Sequence, residues 1–317
     1  LNAVGDNTDE AVSSVVEATE IAHKSGNRDL LMRALLHRFA DVRVAALTGL
    51  SDMDGGLLSP EVLALTADKS STVKKHLIKL LEQYGSEKYL DSLVALAADE
   101  WNSSSHHEEE PNFPIAQAAA KLLLEGPHTV DADLRKRLGV IVQKSADSDV
   151  KLLLLRVMVR RGTPDTKKKV TQIATGRAAG SLPRLTSKAL VSEAEHVDAA
   201  SLAEISDDIL RTRSAMVSCL LTLLLALKAS EERTLSAAQS LSADPDRKAL
   251  LIMLLLGVPD HQEELGNKIL ALIPEAARDT VVIALSGGEK MTQNILDTLG
   301  DVRIITAMKP WIKDFIQ

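Results

Sequence analysis

The run His106–Glu110 (HHEEE) combines imidazole and carboxylate side chains, which often hold divalent metals in proteins. Its five members are consecutive, whereas the zinc motif HExxH places two histidines four residues apart on one helical face. No remote histidine or carboxylate stands out as a further ligand. We therefore favour a solvated, flexible loop for this run and keep a metal site as the alternative.

A second run, Leu285–Glu289 (LSGGE), resembles the signature sequence of ABC-transporter ATPases. That signature acts only opposite a phosphate-binding loop, and the chain contains neither GxxxxGKS nor GxxxxGKT. The two glycines are better explained as the end of a helix over residues 281–285. Because the GxSxG, GxGxxG and kinase patterns are also missing, we predict no catalytic residue, no cofactor and no metal, and hence a protein that is not an enzyme.

Charge is distributed unevenly along the chain, which carries a formal net charge of −7. Residues 151–190 hold ten Lys and Arg side chains against one acid, Asp165, while residues 191–210 hold six acids and no Lys or Arg. The ten basic residues are the candidates for partner binding: Lys151, Arg156, Arg160, Arg161, Lys167, Lys168, Lys169, Arg177, Arg184 and Lys188.

This basic stretch has two interpretations. It forms an electropositive surface for an acidic protein or a nucleic acid, or it is a solvated face compensated by the acidic helices that follow. The consecutive Lys167–Lys169 point about 100° apart on a helix, so they cannot all serve one flat surface. Residues 151–190 contain no aromatic side chain for base stacking, and we therefore favour a protein partner over nucleic acid.

Composition points to tightly packed small helices. Hydrophobic residues make up 45% of the chain but aromatic residues only 2%, so the core must be built from Leu, Ala, Val and Ile. The single cysteine, Cys219, excludes an intramolecular disulfide framework and a cysteine zinc site, and it fits a cytoplasmic protein. The longest apolar stretch, residues 215–227, falls short of the roughly 20 residues needed to span a bilayer, so we predict no membrane span.

Helical signals recur along most of the chain. Residues 8–25 carry apolar side chains at helical spacing, and Ser59-Pro60 and Thr163-Pro164 are typical helix starts. Three glycines follow apolar periodic segments, where they are expected to end helices: Gly85, Gly126 and Gly162. The sequence therefore predicts an all-α protein.

The stretch DVRVAALTGL at residues 41–50 recurs in variant form. Similar helices open at Thr72, Asp149 and Asp301, and comparable apolar helices open at Arg213, Asp246 and Arg278. The period is near 32 residues, which is typical of a right-handed α-solenoid of stacked antiparallel helix pairs. We expect the Asp or Thr that opens each helix to cap its backbone N–H groups, and the Arg or Lys two positions later to extend over the adjoining layer.

The segment Asp41–Leu47 (DVRVAAL) resembles the second helix of a HEAT repeat, particularly the short bacterial HEAT-like repeats related to phycobilisome lyases. Residues 72–81, 149–159 and 301–305 resemble it more loosely, and an armadillo array is the architectural alternative. The resemblance implies a curved, non-enzymatic scaffold that binds a partner protein on its concave or basic surface. A nucleic-acid-binding solenoid that uses residues 151–190 is the alternative, and a HEAT-like lyase or glycosylase is a more remote one.

Two irregular segments interrupt the array. Residues 101–114 (WNSSSHHEEEPNFP) and 176–183 (GRAAGSLP) read as long connections. We predict a single array over residues 1–317, divided by these loops into subarrays at 1–100, 115–175 and 184–317. Near the end, Trp311 and Phe315 stand four residues apart, where they either cap the last core layer or form an exposed docking knob.

Overall fold

The computed structural model describes residues 9–55, 57–104, 111–176, 181–209, 212, 214–244, 250, 251, 254, 255, 258 and 260–273. Within these residues the chain forms fifteen α-helices and no β-strand, which confirms the all-α prediction. The helices are α1 Asp9–Lys24, α2 Arg28–Ala34, α3 Ala40–Met53, α4 Pro60–Leu63, α5 Ser71–Gln83, α6 Leu90–Ala97, α7 Pro114–Glu125, α8 Ala132–Lys144, α9 Ser148–Arg161, α10 Pro164–Thr175, α11 Leu182–Ser192, α12 Ala199–Asp208, α13 Ala215–Lys228, α14 Glu231–Ser242 and α15 Glu263–Ala271.

The helices belong to two compact units. The first comprises the described residues of 1–128 and 136–154, and the second those of 129–135 and 155–317. The division therefore falls within helices α8 and α9 rather than at a loop. The single array and the three subarrays set out above stay predictions.

In the first unit, helices close in sequence pack against one another. Helix α1 packs on α2 and α3, α3 packs on α5, and α5 packs on α7, which also contacts α6. The core between them consists of aliphatic side chains with less than 2% exposure, including Leu47, Leu50, Leu77, Leu81 and Leu123. Their small, branched shapes allow this close packing without aromatic rings.

In the second unit, α10 packs on α11 and α12, α13 packs on α11 and α12, and α14 packs on α15. Helix α13 is buried almost all round its axis, from Leu220 to Ala226. Its sequence, AMVSCLLTLLLALK, is correspondingly apolar on every side. The predicted core helix at residues 215–227 is therefore confirmed as a helix, and its side chains at 217, 218 and 220–226 are buried.

The predicted helix starts near residues 41, 60, 72, 149 and 164 agree with the structure, and those at 213, 246, 278 and 301 lie outside the described residues. The caps predicted at Asp41 and Thr72 do not agree. Pro60 and Pro164 begin α4 and α10, and the Thr163 hydroxyl accepts a hydrogen bond from the Thr166 N–H. Asp41 and Thr72 were expected to cap α3 and α5. Both already lie within the first helical turn, where a side chain is past the N-cap position, and the N-caps Phe39 and Ser70 make no side-chain cap bond.

The three glycines expected at helix ends all follow a helix. Gly85 comes two residues after α5, Gly126 directly after α7, and Gly162 directly after α9. Gly85 has a φ of 99°, a left-handed conformation that favours glycine because it has no Cβ.

Candidate protein-interaction surface

The basic stretch begins with two arginines on α9 that share one acid. Arg156 Nε lies 2.7 Å from Glu193 Oε1, and Arg160 Nε lies 2.7 Å from Glu193 Oε2. Glu193 follows α11, and its side chain is only 1% exposed. Two partly buried guanidinium groups therefore share one buried carboxylate, so both arginines form ion pairs within the second unit.

Helix α10 contributes the next lysines, which also have partners within the second unit. Lys167 Nζ donates to the His196 carbonyl at 2.6 Å, and Lys168 Nζ lies 3.2 Å from Glu204 Oε1. The Asp198 carboxylate caps α12 by accepting from the Ser201 N–H at 2.8 Å. Glu193 and Glu204 thus pair with the basic stretch and Asp198 caps a helix, in agreement with the second interpretation of the charge pattern.

The other candidates differ in exposure. Arg161 and Lys188 are half-buried, and each already takes part in an interaction. Lys151 is half-buried and belongs to the first unit, whereas Lys169 and Arg184 are exposed in the second. Arg177 lies outside the described residues. A partner-binding basic surface stays a prediction, carried chiefly by Lys169 and Arg184.

The first unit contains a different arrangement, a turn that occurs three times. The side chains of His37, Asp68 and Asp99 each accept a hydrogen bond from the backbone N–H two residues later, at 3.3, 2.7 and 3.2 Å. These acceptors are 31 residues apart in each step. The spacing equals the step between Val42 and Val73 in the sequence repeat.

Long basic side chains connect one turn to the next. Arg43, the fourth residue of α3, donates from Nε and Nη2 to the two carboxylate oxygens of Asp68 at 2.7 and 2.8 Å. Its Nη1 donates to the carbonyls of His37 and Arg38. One guanidinium group therefore binds two successive turns, as expected for a long side chain that reaches beyond its own turn.

Lys74, the fourth residue of α5, repeats the connection. Its Nζ donates to Asp99 Oδ1 at 2.9 Å, and the two side chains are only 6% and 4% exposed. Asp99 also accepts from the Trp101 N–H and the Asn102 side-chain amide. This buried ion pair fixes the backbone at the start of the 101–114 connection.

The far end of that connection is anchored in a related way. Gln117, the fourth residue of α7, donates to Asp147, which is 2% exposed and also accepts from the Phe113 N–H. The same carboxylate accepts from the Asp149 and Val150 N–H groups at the start of α9, where it provides the cap that had been expected of Asp149. The described parts of the connection, 101–104 and 111–113, are non-helical as predicted.

The three equivalent turns occupy residues 36–39, 67–70 and 98–101, and together we call them the turn row. Its first turn exposes 88% of Leu36, and its last exposes 73% of Trp101. The Arg38 guanidinium lies 4.5 Å from the centre of the Phe39 ring, and Lys69 is exposed in the middle turn. This surface contains no motif and was therefore not predicted from the sequence, although the 31-residue step aligns Phe39 with Trp101.

Two histidines lie in the first unit near these elements. His76 Nε2 on α5 lies 2.9 Å from Thr48 Oγ1 on α3, and the pKa of His76 is lowered by burial and by the charge of Lys79. Burial likewise lowers the pKa of His37, and the neighbouring Arg38 adds to the effect. Both environments favour the neutral imidazole.

The remaining chemical candidates fall largely outside the described residues. These are the histidine–glutamate run 106–110, the LSGGE run 285–289, and the pair Trp311 and Phe315. Within the described part of the chain, no group of three or more His, Cys, Asp or Glu side chains has a metal-binding arrangement. No helix there is long and apolar enough to cross a bilayer.

Comparison with known family models, curated proteins and solved structures gives no match to this chain.

Proposed function

We propose that this chain is a HEAT-like α-solenoid that acts as a non-catalytic scaffold and binds a partner protein. The observation that carries the proposal is the threefold recurrence of one turn at a fixed 31-residue step, with Arg43 and Lys74 linking each turn to the next. A fixed repeat whose members contact their neighbours is the defining property of a solenoid.

Packing among neighbours supports the same proposal. In the first unit the chain of contacts runs from α1 to α3, α5 and α7, and in the second it runs from α11 to α13. Each helix pair buries its apolar face only by stacking on the next, which creates a long exposed surface relative to its volume. Such surfaces suit protein binding because many side chains from separate repeats can contact one partner.

Contacts within the second unit favour a protein partner over nucleic acid. Phosphate binding needs several unpaired Lys and Arg side chains that face one way. Arg156, Arg160 and Lys168 are instead paired with acids of the same unit. The exposed Lys169 and Arg184 remain for an electrostatic contact with an acidic protein.

The repeat architecture is tested by removing one whole period. Deleting residues 37–67 joins Leu36 to Asp68 and so replaces one turn by its equivalent. We expect this variant to keep its helical circular dichroism and cooperative urea unfolding, with a smaller m-value because less surface is exposed on unfolding. A matched deletion of residues 37–51, half a period, should lose cooperativity. If both deletions reduced the cooperativity of unfolding equally, the 31-residue repeat would be contradicted.

The binding role is tested by affinity capture with the full chain from native lysate, with and without nuclease. A discrete protein retained after nuclease treatment supports the scaffold, whereas loss on nuclease treatment supports the nucleic-acid alternative. A Lys169→Glu/Arg184→Glu variant then tests the basic surface. Its matched control, Lys24→Glu/Lys88→Glu, changes two exposed lysines of the first unit by the same charge.

A further inference from the structure

Leu36 and Trp101 have the highest exposures among the large apolar side chains of the described residues, at 88% and 73%. They sit in the first and last turns of the turn row. Tryptophan is among the residues that contribute most to protein–protein binding when a partner buries it. Leu36 is the first residue of its turn and Trp101 the last of its turn, and both belong to the same row of linked turns, which distinguishes them from scattered surface hydrophobics.

The backbone beneath both side chains is held by hydrogen bonds. The Trp101 N–H donates to Asp99, whose carboxylate is buried with Lys74. The carbonyl of His37, next to Leu36, accepts from Arg43. Anchors that are fixed before binding lose little conformational freedom on association, so more of their contact energy appears as affinity.

The packing of the helices sets the spacing of the two anchors. Arg43 of α3 bonds to the first and second turns, Lys74 of α5 bonds to the third, and α3 packs on α5. Packed helix axes lie about 8–10 Å apart, so two steps separate the outer turns by roughly 16–20 Å. On an α-helix this distance corresponds to residues about 11–14 positions apart, and of these separations 11 and 14 place both residues on one face.

Charge between the anchors is positive. Arg38 and Lys69 are exposed in the first and middle turns, so carboxylates on a partner would be attracted there. Glu100, exposed beside Trp101, would repel a continuous polyanion such as nucleic acid or an anionic membrane surface. The charge pattern therefore favours a protein segment with acids at its centre only.

We infer that the turn row binds an amphipathic α-helix of a partner protein, which carries two apolar residues about 11–14 positions apart and carboxylates between them. The helix lies across the row, with one apolar residue on Leu36, the other on Trp101, and its acids over Arg38 and Lys69. This inference rests on the proposed function, and it identifies the kind of partner segment that one surface of the scaffold binds.

The test uses a fluorescein-labelled 18-residue helical peptide with two leucines 14 positions apart and glutamates between them. A second peptide replaces those glutamates by lysines, and a third places the leucines seven positions apart. Fluorescence anisotropy with the full chain measures the binding of each. We expect saturable binding of the first peptide and at least about tenfold weaker binding of the other two.

Variants of the chain locate the binding surface. Leu36→Ser and Trp101→Ser should each weaken the acidic peptide about tenfold, a typical loss for a central apolar anchor. Lys69→Glu should weaken the acidic peptide and strengthen the lysine peptide. Leu57→Ser is the matched control, because Leu57 is 68% exposed and follows the opposite end of α3. Circular dichroism confirms that each variant is folded.

Several outcomes would overturn the inference. They are absence of saturable binding to the acidic peptide, equal binding by Leu36→Ser and wild type, or equal losses in Leu36→Ser and Leu57→Ser. Binding to vesicles with phosphatidylserine but not to the peptide would indicate a membrane surface instead. If these losses are absent while the chain still captures a protein after nuclease treatment, the scaffold stands and the turn row is not its binding surface.

Discussion

The two units place their charges in opposite ways. In the first, two basic side chains each reach an acid in the next turn: Arg43 binds Asp68 and Lys74 binds Asp99. In the second, Arg156 and Arg160 converge on the single buried Glu193. The two pairs of the first unit follow the 31-residue step, whereas these two arginines of the second unit share one acid. A count of charges along the sequence therefore says little about which cations are available to a partner.

Exposed apolar surface follows the same division. All large hydrophobic side chains that are exposed in the described part of the chain belong to the first unit: Ile21, Leu36, Met53, Leu57, Trp101 and Val140. The described residues of the second unit expose charged and polar groups instead. The unit in which Arg43 and Lys74 link successive turns is thus also the unit with the exposed large hydrophobic side chains.

The largest effect is expected at the buried pair of the first unit. Asp99→Asn keeps the shape of the side chain but leaves the Lys74 ammonium buried without its counter-charge. We expect a loss of about 3–5 kcal/mol in the free energy of unfolding, measured by urea denaturation. Asp91→Asn is the control, because Asp91 pairs with Arg137 at 86% exposure and should cost less than about 1 kcal/mol. Equal losses would show that burial does not decide the strength of these pairs.

A smaller loss is expected at the shared acid of the second unit. Glu193→Gln leaves two arginines without a counter-charge, but both retain nearly a third of their exposure and can be partly solvated. We therefore expect a loss of about 2 kcal/mol rather than the full value for a buried pair. Urea denaturation of Glu195→Gln, whose side chain is 75% exposed, provides the reference. A larger loss than at Asp99 would reverse the comparison between the units.

Arg43→Lys tests whether geometry as well as charge matters in the turn row. Lysine keeps the positive charge, but it cannot bind both oxygens of Asp68 and the carbonyls of the preceding turn at once. We expect a loss of about 1.5 kcal/mol in stability, the scale of one charge-assisted hydrogen bond. Arg28→Lys, at an exposed pair with Asp54, should change stability much less. If Arg43→Lys left the free energy of unfolding unchanged, charge alone would connect the turns.

The smallest effect is expected from pH. Because the folded pKa of His76 lies below the ordinary value of 6.5, the unfolded chain binds the proton more readily as the solution becomes acidic. The contribution of neutral His76 is therefore complete above about pH 6.5 and is lost as the pH falls below it. His76→Gln should flatten the fall in stability below this pH, measured by urea denaturation at several pH values. An unchanged slope would assign the acid sensitivity to other groups.

Local signals in the sequence predicted the local structure well. Apolar spacing and Ser-Pro or Thr-Pro starts identified helices such as α1, α4 and α10, because backbone hydrogen bonding depends on neighbouring residues. The caps were predicted wrongly at Asp41 and Thr72. The side chains that bind backbone N–H groups there, His37 and Asp68, lie four positions earlier and accept from the N-cap residues Phe39 and Ser70 instead of from the first helical turn.

Contacts between distant residues were the harder part. The basic stretch reads as a surface in the sequence, yet Arg156 meets Glu193 across 37 positions, and only the packed second unit brings them together. The turn row could have been found from the 31-residue step, which places His37, Asp68 and Asp99 in register. The exposure of the turn row could not have been predicted, because the burial of a turn depends on which helices cover it. A periodic sequence pattern does not encode which helices these are.

The anchored connection after α6 has a consequence for protein engineering. The Ser104 N–H donates to the Asn112 carbonyl at 3.0 Å, so the two sides of the connection meet at a closed neck. A neck of this kind presents two ends as close together as the termini of many compact domains. A reporter domain inserted between Ser104 and Asn112 would therefore enter and leave the chain at neighbouring points, so it need not separate α6 from α7, which pack together.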